Sequence, residues 1–220
     1  MALKRIVILG AGGQARETRW LIEEINQNRP SYEFVGFVVG DLASLADTDS
    51  QDSVLGDESW LDVHRDGFDC LALGLANPLG RLKVARKLTQ QHPACSWPLL
   101  IHPSAIYDAQ SCRFGSGAHI CAGTVCTINV QVDSFALLNF GVTVGHEARI
   151  GSGAVVNPGA NVSGGVVIEE GVLVGTGAQI LQYRRIGAGA TVGAGAVVTR
   201  NVGPGVTVVG IPALPKRMDA

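Results

Sequence analysis

The sequence has no run of basic residues and almost no net charge. Its 17 lysines and arginines nearly balance its 19 aspartates and glutamates, which leaves a formal net charge of −2 at pH 7. Binding to nucleic acid or to an anionic membrane depends on clustered positive charge. The composition therefore excludes both as expected partners.

Long apolar runs and paired cysteine motifs are also missing. The first five residues lead into a short apolar stretch, far below the roughly 18 residues that span a bilayer. The five cysteines are odd in number and show no CxxC spacing. We therefore expect free thiols, no disulfide or metal site, and a cytoplasmic location.

What the sequence does contain is a period of six residues. From Phe114 to Val198 every sixth residue is apolar, and the residues four places later are small or β-branched, with Arg184 as the exception. Neither a helix nor a plain strand has this period, but a solenoid of short strands does. The period predicts a parallel β-helix of about five stacked coils, each of about eighteen residues. Glycine often follows the apolar position, which we attribute to turns with unusual dihedral angles.

The first hundred residues follow a different pattern. A buried-strand run at 5–9 is followed by a glycine turn and a helix over 16–28, and further strands are expected at 33–39 and 70–74, with a helix over 78–90. This alternation predicts a Rossmann-like α/β domain. We place it at residues 1–100 and the β-helix at residues 101–220.

The glycine turn is one candidate site. Glycines between a strand and a helix let a phosphate approach the N–H groups at the positive end of the helix. The candidate substrate contacts are Gly12, Gly13 and Gln14, together with Gly74 at the end of the third strand. NAD is not expected, because Val39 stands where a dinucleotide-binding fold has an acidic residue. A purely structural role for the glycines is the alternative.

His146 is the candidate for chemistry. It follows axial Val144 by two residues, a position whose side chain should point away from the narrow core. Imidazole titrates near neutrality, so His146 can take a proton from an amine or hydroxyl nucleophile. Glu147 beside it can orient the ring and stabilise its protonated form. An interface hydrogen bond without chemistry is the alternative for His146, and an interface or surface role is expected for His119.

The chain resembles the hexapeptide-repeat acyltransferases in two motifs, the repeat IGSGAV at 150–155 and the ending VGIPA at 209–213. A glycine-rich α/β unit and the phrase IHPSA at 101–105 precede the repeats. This order is similar, over essentially the whole chain, to the bacterial sugar O- and N-acetyltransferases that modify sialic acid, bacillosamine precursors or perosamine nucleotides.

The resemblance implies a left-handed parallel β-helix, a homotrimer with active sites between subunits, and acetyl-CoA as the acyl donor. The family motif implies His146 as the base, Glu147 as its partner and Asn139 as a supporting polar group. A backbone N–H, for which Gly164 is the candidate, would stabilise the oxyanion. Coenzyme A contacts are implied near Val155, Gly164, Thr176 and Ala194, with Lys216 or Arg217 available for phosphates.

The expected function is N-acetylation of a nucleotide-linked deoxyamino sugar in bacterial surface glycan synthesis. O-acetylation of a sialic-acid-like sugar and a non-catalytic nucleotide-sugar-binding role are the alternatives. The family turn commonly reads Gly-x-Gly-Gly-His-Gly, whereas Gln14 and Ala15 fill the last two places here, so the nucleotide stays open. A γ-carbonic anhydrase is excluded, because its zinc needs three histidines and the repeats contain only His119 and His146.

Overall fold

The computed structural model describes residues 2–49 and 51–216. Its N-terminal unit contains a parallel sheet of four strands in the order β3-β2-β1-β4. The strands are β1 (Lys4–Leu9), β2 (Tyr32–Val39), β3 (Val54–Asp57) and β4 (Cys70–Leu73). The helices are α1 (Gly13–Asn28), α2 (Ser59–Val63) and α3 (Pro78–Gln91), with 3₁₀ turns at Leu42–Ser44, Gln51–Ser53 and Arg65–Gly67. None of the described helices is long and apolar enough to cross a membrane.

The rest of the chain is a three-faced parallel solenoid. The first face consists of β5 (Leu100–Ile101), β8 (His119–Ile120), β11 (Leu137–Leu138), β14 (Val155–Val156), β17 (Leu173–Val174), β20 (Thr191–Val192), β22 (Thr207–Val209) and the antiparallel β23 (Leu214–Pro215). The second face consists of β6 (Ile106–Tyr107), β9 (Val125–Cys126), β12 (Thr143–Val144), β15 (Asn161–Val162), β18 (Gln179–Ile180) and β21 (Val197–Val198). The third face consists of β7 (Arg113–Phe114), β10 (Gln131–Val132), β13 (Arg149–Ile150), β16 (Val167–Ile168) and β19 (Arg185–Ile186).

Three lines of turns connect these faces. We call the turns from the first face to the second the first edge, those from the second face to the third the second edge, and those from the third face back to the first the third edge. Since the cross-section has three sides, the second edge lies opposite the first face.

The six-residue period is confirmed by the core. Axial residues such as Val144 and Ile150 are buried, and small residues such as Ala148 are fully buried beside the turns. The ladder starts earlier than the period suggests. Leu100 pairs with His119, 19 residues further on instead of 18, and this extra residue in the first coil breaks the sequence frame.

The glycines that follow axial residues were attributed to unusual dihedral angles, and this was wrong. The left-handed glycines lie two residues further on, for example Gly153 with φ +64°. Gly145 instead faces the next coil, where a Cβ atom would lie 2.6 Å from the backbone nitrogen of Gly164. Glycine is needed there because the coils pass too closely for a side chain.

The N-terminal unit docks on the first face. Ala15 and Ile22 of α1 share one buried cluster with Leu137 and Val155, whose side chains point out of the solenoid. Helix α1 therefore lies between the sheet and the first face. Helix α3 packs against the third edge, where Arg86 forms an ion pair with Glu170 at 2.7 Å.

A buried cation connects the two units. Arg81 of α3 is fully buried and donates hydrogen bonds to the carbonyl of Phe135 in the solenoid (3.0 Å) and to those of Leu73 (3.2 Å) and Leu75 (2.7 Å) in the N-terminal unit. Burial lowers the pKa of Arg81 to about 10. The guanidinium therefore remains charged at neutral pH and joins backbone segments of both units.

His119 lies in the same interface. Its side chain points out of the first face and is fully buried beneath the N-terminal unit. Burial, followed by the charge of nearby Arg81, holds the pKa of His119 well below its ordinary value. Neither ring nitrogen has a hydrogen-bond partner among the described residues. His119 is thus an interface residue, as expected, but the interface is within one chain.

We predict that the protein loses stability as the pH falls below about 6.5, where an unfolded histidine takes up a proton that buried His119 does not. Replacing this residue by an apolar one, as in His119→Leu, should reduce that loss. Urea unfolding midpoints at pH 7.5, 6.5 and 5.5 measure the effect. His64→Gln, at an exposed position, is the matched control and should keep the wild-type pH dependence. An equal dependence in His119→Leu would contradict the prediction.

Candidate functional site

His146 lies on the second edge, in the turn that follows β12. Its side chain is half-exposed, and its Nδ1 contacts the carboxylate of Glu147. Glu147 adopts a left-handed conformation, with φ +56°, which turns the carboxylate back to the neighbouring ring. The Nε2 atom of His146 has no hydrogen-bond partner among the described residues and lies close to Gly164 of the next coil. The sequence reading of these two residues as a pair therefore agrees with the geometry.

Glu147 is held in its ionised form. Its hydrogen bond to His146, followed by one from the Asn129 amide at 3.4 Å, lowers the pKa of the Glu147 carboxyl. Asn129 occupies the same turn position one coil earlier, 18 residues before Glu147. Sequence analysis missed Asn129, although its spacing of 18 residues from Glu147 places the two residues on neighbouring coils.

Gly164 lies next to the His146 ring, one coil later. A Cβ atom on Gly164 would come within 2.5 Å of both Cε1 and Nε2 of His146. Only glycine leaves room for the imidazole in this position. The Gly164 N–H has no acceptor within the described chain, so it can donate to an added oxygen atom.

Asn139 does not join His146 within one chain. It follows β11 and therefore lies on the first edge, separated from His146 by the width of the second face. Its side chain is buried, and its Oδ1 accepts a hydrogen bond from the Phe140 N–H at 2.9 Å. The Thr124 hydroxyl donates to the backbone carbonyl of Asn139 at 3.3 Å.

The candidate coenzyme contacts are also divided between edges. Thr176 and Ala194 lie one coil apart on the first edge, whereas Gly164 lies on the second. Val155 belongs to neither edge. Its side chain is fully buried against the N-terminal unit, which closes that side chain to a ligand. The Lys216 N–H pairs with the Thr207 carbonyl, and Arg217 lies outside the described residues.

The four candidate substrate contacts do come together. Gly12, Gly13, Gln14 and Gly74 line one pocket of about 410 Å³ in the N-terminal unit. A Cβ atom on Gly74 would lie 2.5 Å from the Cβ of Ala15. Gly74 therefore lets the chain after β4 pass directly against α1, which closes one wall of the pocket.

The backbone groups at this pocket favour an anion, whereas Asp49, the one charged side chain among the described residues of its lining, is a carboxylate. It opens at the carboxyl ends of β1 and β4, between which the strand order reverses, as at other ligand sites of parallel sheets. The first turns of both long helices contribute to its wall. Gly12 begins α1 without a side-chain cap, whereas Asn77 caps α3 by accepting from the Gly80 N–H at 2.8 Å. Unpaired N–H groups at such helix ends favour phosphate.

The end of β2 lacks the acidic residue of a dinucleotide-binding site, as the sequence indicated. Val39 and Gly40 border the pocket at the tip of β2, and Asp49 approaches from the following loop. Asp49 Oδ2 accepts a hydrogen bond from the Ala46 N–H at 3.0 Å, which holds its carboxylate beside the pocket.

The pocket and His146 lie on different sides of the molecule. The N-terminal unit covers the first face, and His146 projects from the second edge, which is opposite. One chain therefore does not bring the two candidate sites together. No group of three potential metal ligands occurs within residues 2–49 and 51–216.

Solved structures resemble this chain over nearly its whole length, from the N-terminal unit to the end of the solenoid. No family model and no curated protein matches the sequence. Among solved structures, PerB from Caulobacter crescentus, in complex with CoA and GDP-perosamine, is 30% identical, with 98% of this chain and 99% of PerB covered and a TM-score of 0.86. Variants of that perosamine N-acetyltransferase with a histidine replaced by asparagine or alanine were solved with the same two ligands.

Two further structures match over nearly their whole length. The acetyltransferase domain of PglB from Neisseria gonorrhoeae, in complex with acetyl coenzyme A, is 26% identical, with 98% of this chain and 100% of that chain covered and a TM-score of 0.82. WeeI from Acinetobacter baumannii is 28% identical, with 96% and 99% covered and a TM-score of 0.79. The solenoid fits the left-handed β-helix of these acetyltransferases. The chain thus belongs to the family of hexapeptide-repeat sugar acetyltransferases that includes perosamine N-acetyltransferase.

Proposed function

We propose that the protein is an acetyl-CoA-dependent N-acetyltransferase that acts on the amino group of a nucleotide-linked deoxyamino sugar. The observation that carries the proposal is His146, whose Nδ1 is held by Glu147 while Nε2 stays unpaired next to Gly164, a residue whose N–H has no acceptor within the described chain. The full-length likeness to PerB, which is solved with CoA and GDP-perosamine, supports the same chemistry. Residues 1–100 would form a Rossmann-like domain for the nucleotide sugar, and residues 101–220 the acyltransferase domain.

The proposed mechanism uses the open ring nitrogen as a base. Acetyl-CoA supplies the thioester carbonyl that the sugar amine attacks. As the C–N bond forms, Nε2 of His146 accepts the amine proton, and the Glu147 carboxylate stabilises the resulting imidazolium. The Gly164 N–H donates to the carbonyl oxygen, on which negative charge develops. When the C–S bond breaks, the imidazolium returns the proton to the leaving thiolate, which restores His146.

The division of the candidate residues favours active sites between copies. His146, Glu147 and Gly164 lie on the second edge, whereas Asn139, Thr176 and Ala194 lie on the first edge. These edges are the two borders of the second face. In the cyclic oligomer that we propose, the second edge of one copy meets the first edge of the next, and these six residues share one cleft. We propose a homotrimer of this kind.

The surface supports such contacts. Ile106 on the second face and Ile128 and Leu181 on the second edge are exposed apolar side chains. A contact along the second face and its edge would cover these side chains. The arrangement also places the N-terminal unit of one copy, which sits on the first face, beside His146 of its neighbour. A cytoplasmic location is part of the proposal and is supported by five free cysteines.

The glycine-turn pocket is the proposed site for the nucleotide sugar. Its phosphates would lie at the first turns of α1 and α3, where backbone N–H groups favour anions. The tip of β2 presents Val39 and Gly40 rather than a carboxylate, so the pocket does not select among UDP, GDP and dTDP by an acidic residue at that point.

Replacing His146 by alanine should lower turnover by roughly 10² to 10⁴-fold, the usual contribution of a positioned base. The assay is thiol release from acetyl-CoA with a panel of UDP-, GDP- and dTDP-linked 4-amino sugars and free sialic acid. His64→Ala, in the N-terminal unit, is the control and should keep its turnover. Unchanged turnover in His146→Ala would overturn the assignment of the base. Release with sialic acid alone would favour O-acetylation, and nucleotide binding without any release would favour a non-catalytic role.

Gly164→Ala should lower kcat at least tenfold with little change in stability, because the added Cβ would displace the His146 ring. Backbone strain does not account for this effect, since Gly164 is outside the left-handed region. Gly203→Ala is the matched control: it is also outside that region, and a Cβ there meets its nearest neighbour at an ordinary 3.6 Å. Steady-state kinetics and thermal melting of both variants test the prediction. Equal kcat in the two variants would contradict it.

Gln14→Glu should weaken nucleotide-sugar binding roughly tenfold and leave CoA binding unchanged. The new carboxylate would repel the phosphates at the first turn of α1, although it would itself favour the helix dipole. Isothermal titration calorimetry with each ligand separates the two effects. The control is Gln90→Glu, near the far end of α3. If both variants bind the nucleotide sugar like the wild type, the phosphates do not lie at α1.

A further inference from the structure

One side of α1 joins the glycine-turn pocket to the first edge of the solenoid. Gly13, Glu17 and Trp20 follow one another at spacings of four and three residues, so they lie on the same side of the helix. Gly13 lines the pocket. Trp20 packs against Phe140, with 5.7 Å between the ring centroids, and Phe140 follows Asn139 on the first edge. This side of α1, which we call the α1 strip, therefore extends from the pocket to the turn that contains Asn139.

The α1 strip is open to a ligand in a single chain. Trp20 is 45% exposed, although its ring contacts Phe140 and its ring centroid lies 6.4 Å from that of His102. Both neighbours belong to first-edge turns and hold the indole ring in place. Glu17, one turn closer to the pocket, is exposed as well. The strip thus presents a carboxylate beside a fixed aromatic ring.

Glu17 is a carboxylate without a partner. No hydrogen bond or ion pair reaches it from the described residues, whereas Glu23 of the same helix pairs with Arg19 at 2.9 Å. Partial burial raises the pKa of the Glu17 carboxyl, against the charge of Arg16. Burial, followed by the charge of Glu17, raises the pKa of Cys121 to about 12. Since Cys121 follows β8, the Glu17 carboxylate lies close to the first edge.

A carboxylate at this place suits a ligand with charges of both signs. Glu17 lies four residues beyond Gly13, about 6 Å along the helix axis, where the helix dipole has little effect. Together with Asp49 it adds negative charge next to the proposed phosphate site. An anion alone would be repelled by these side chains. A nucleotide-linked amino sugar carries a diphosphate at one end of its sugar ring and an ammonium group at the other, and the ring separates the two by a similar distance.

We infer that Glu17 binds the amino group of the sugar and selects an amine over a hydroxyl at the acceptor position. The inference rests on the proposed function, with the phosphates at the first turn of α1 and the sugar on the α1 strip. A carboxylate binds a charged donor more strongly than a neutral one. The strip ends at Asn139, which in the proposed homotrimer faces His146 of the next copy. The ammonium releases one proton to solvent before the neutral amine attacks, so Glu17 is a binding residue and His146 remains the base.

The test measures affinity by isothermal titration calorimetry, which needs no acyl transfer. The three probes are the nucleotide-linked 4-amino sugar of the panel that binds most tightly, its 4-hydroxy counterpart, and the nucleoside diphosphate alone. Glu17→Gln removes the charge and keeps the shape of the side chain. Glu23→Gln is the matched control, because Glu23 is an exposed carboxylate of the same helix.

The wild type and Glu23→Gln should bind the 4-amino sugar roughly tenfold more tightly than the 4-hydroxy counterpart, as expected for a hydrogen bond between charged groups. Glu17→Gln should reduce this ratio by roughly fivefold or more, with the affinity for the nucleoside diphosphate unchanged. The wild-type ratio should also fall between about pH 7 and about pH 9.5, as the amine loses its proton. In Glu17→Gln the ratio should change much less over this range.

Three results would overturn the inference. They are a wild type that binds both sugars equally, a ratio that survives in Glu17→Gln, or an equal loss of affinity for all three probes in that variant. If thiol release still occurs and depends on His146, such a result removes only the role of Glu17. If no probe binds to the wild type and no sugar of the panel causes thiol release, the proposed function fails and the inference fails with it.

Discussion

The stacking of residues 18 apart is the constraint on which the rest of this structure depends. Parallel pairing in the solenoid places Thr143 on Asn161 and Arg149 on Val167, without a shift along the ladder. A side chain in one turn therefore meets the same turn position of the next coil. The size of a side chain in one turn therefore determines which side chain the same position of the neighbouring turn can hold.

The candidate catalytic group is a product of this register. Asn129 and Glu147 share one turn position in successive coils, and the amide of the first helps to keep the second ionised. His146 can extend along the edge only because its counterpart in the next coil, Gly164, has no side chain. An imidazole on an irregular loop would need its own scaffold, whereas here the ladder of backbone hydrogen bonds supplies one.

Much of this was available from the sequence, because the period of six reports which side chains face the axis. The period predicted the core, and the position of His146 after axial Val144 predicted its outward projection. The short strand β3 was missed, since its four residues at a sheet edge are only partly buried and carry no apolar run. The division of Asn139 and His146 between two edges was present in the period but was not drawn from it. These residues follow the successive axial residues Leu138 and Val144, so they lie in successive turns of one coil.

The docking of the N-terminal unit determines which candidate sites one chain can bring together. His119 of the first face is buried beneath the N-terminal unit, and Arg81 joins that unit to Phe135 at the third edge, which fixes the unit on the side opposite His146. The proposed pocket for the nucleotide sugar and the proposed base are thus kept apart in each chain. A reaction that needs both requires a second copy, so assembly and activity would be linked.

The most direct test of this account is to mix two variants that are each inactive alone. His146→Ala lacks the proposed base, and Gly12→Leu fills the glycine-turn pocket at a position whose φ of −73° accepts a side chain. After dissociation and reassembly of an equal mixture, thiol release should return to about one quarter of the wild-type value, because each site takes its base and its pocket from different copies. Mixed oligomers that form but remain inactive would show that both parts of a site come from one chain, and would contradict the account.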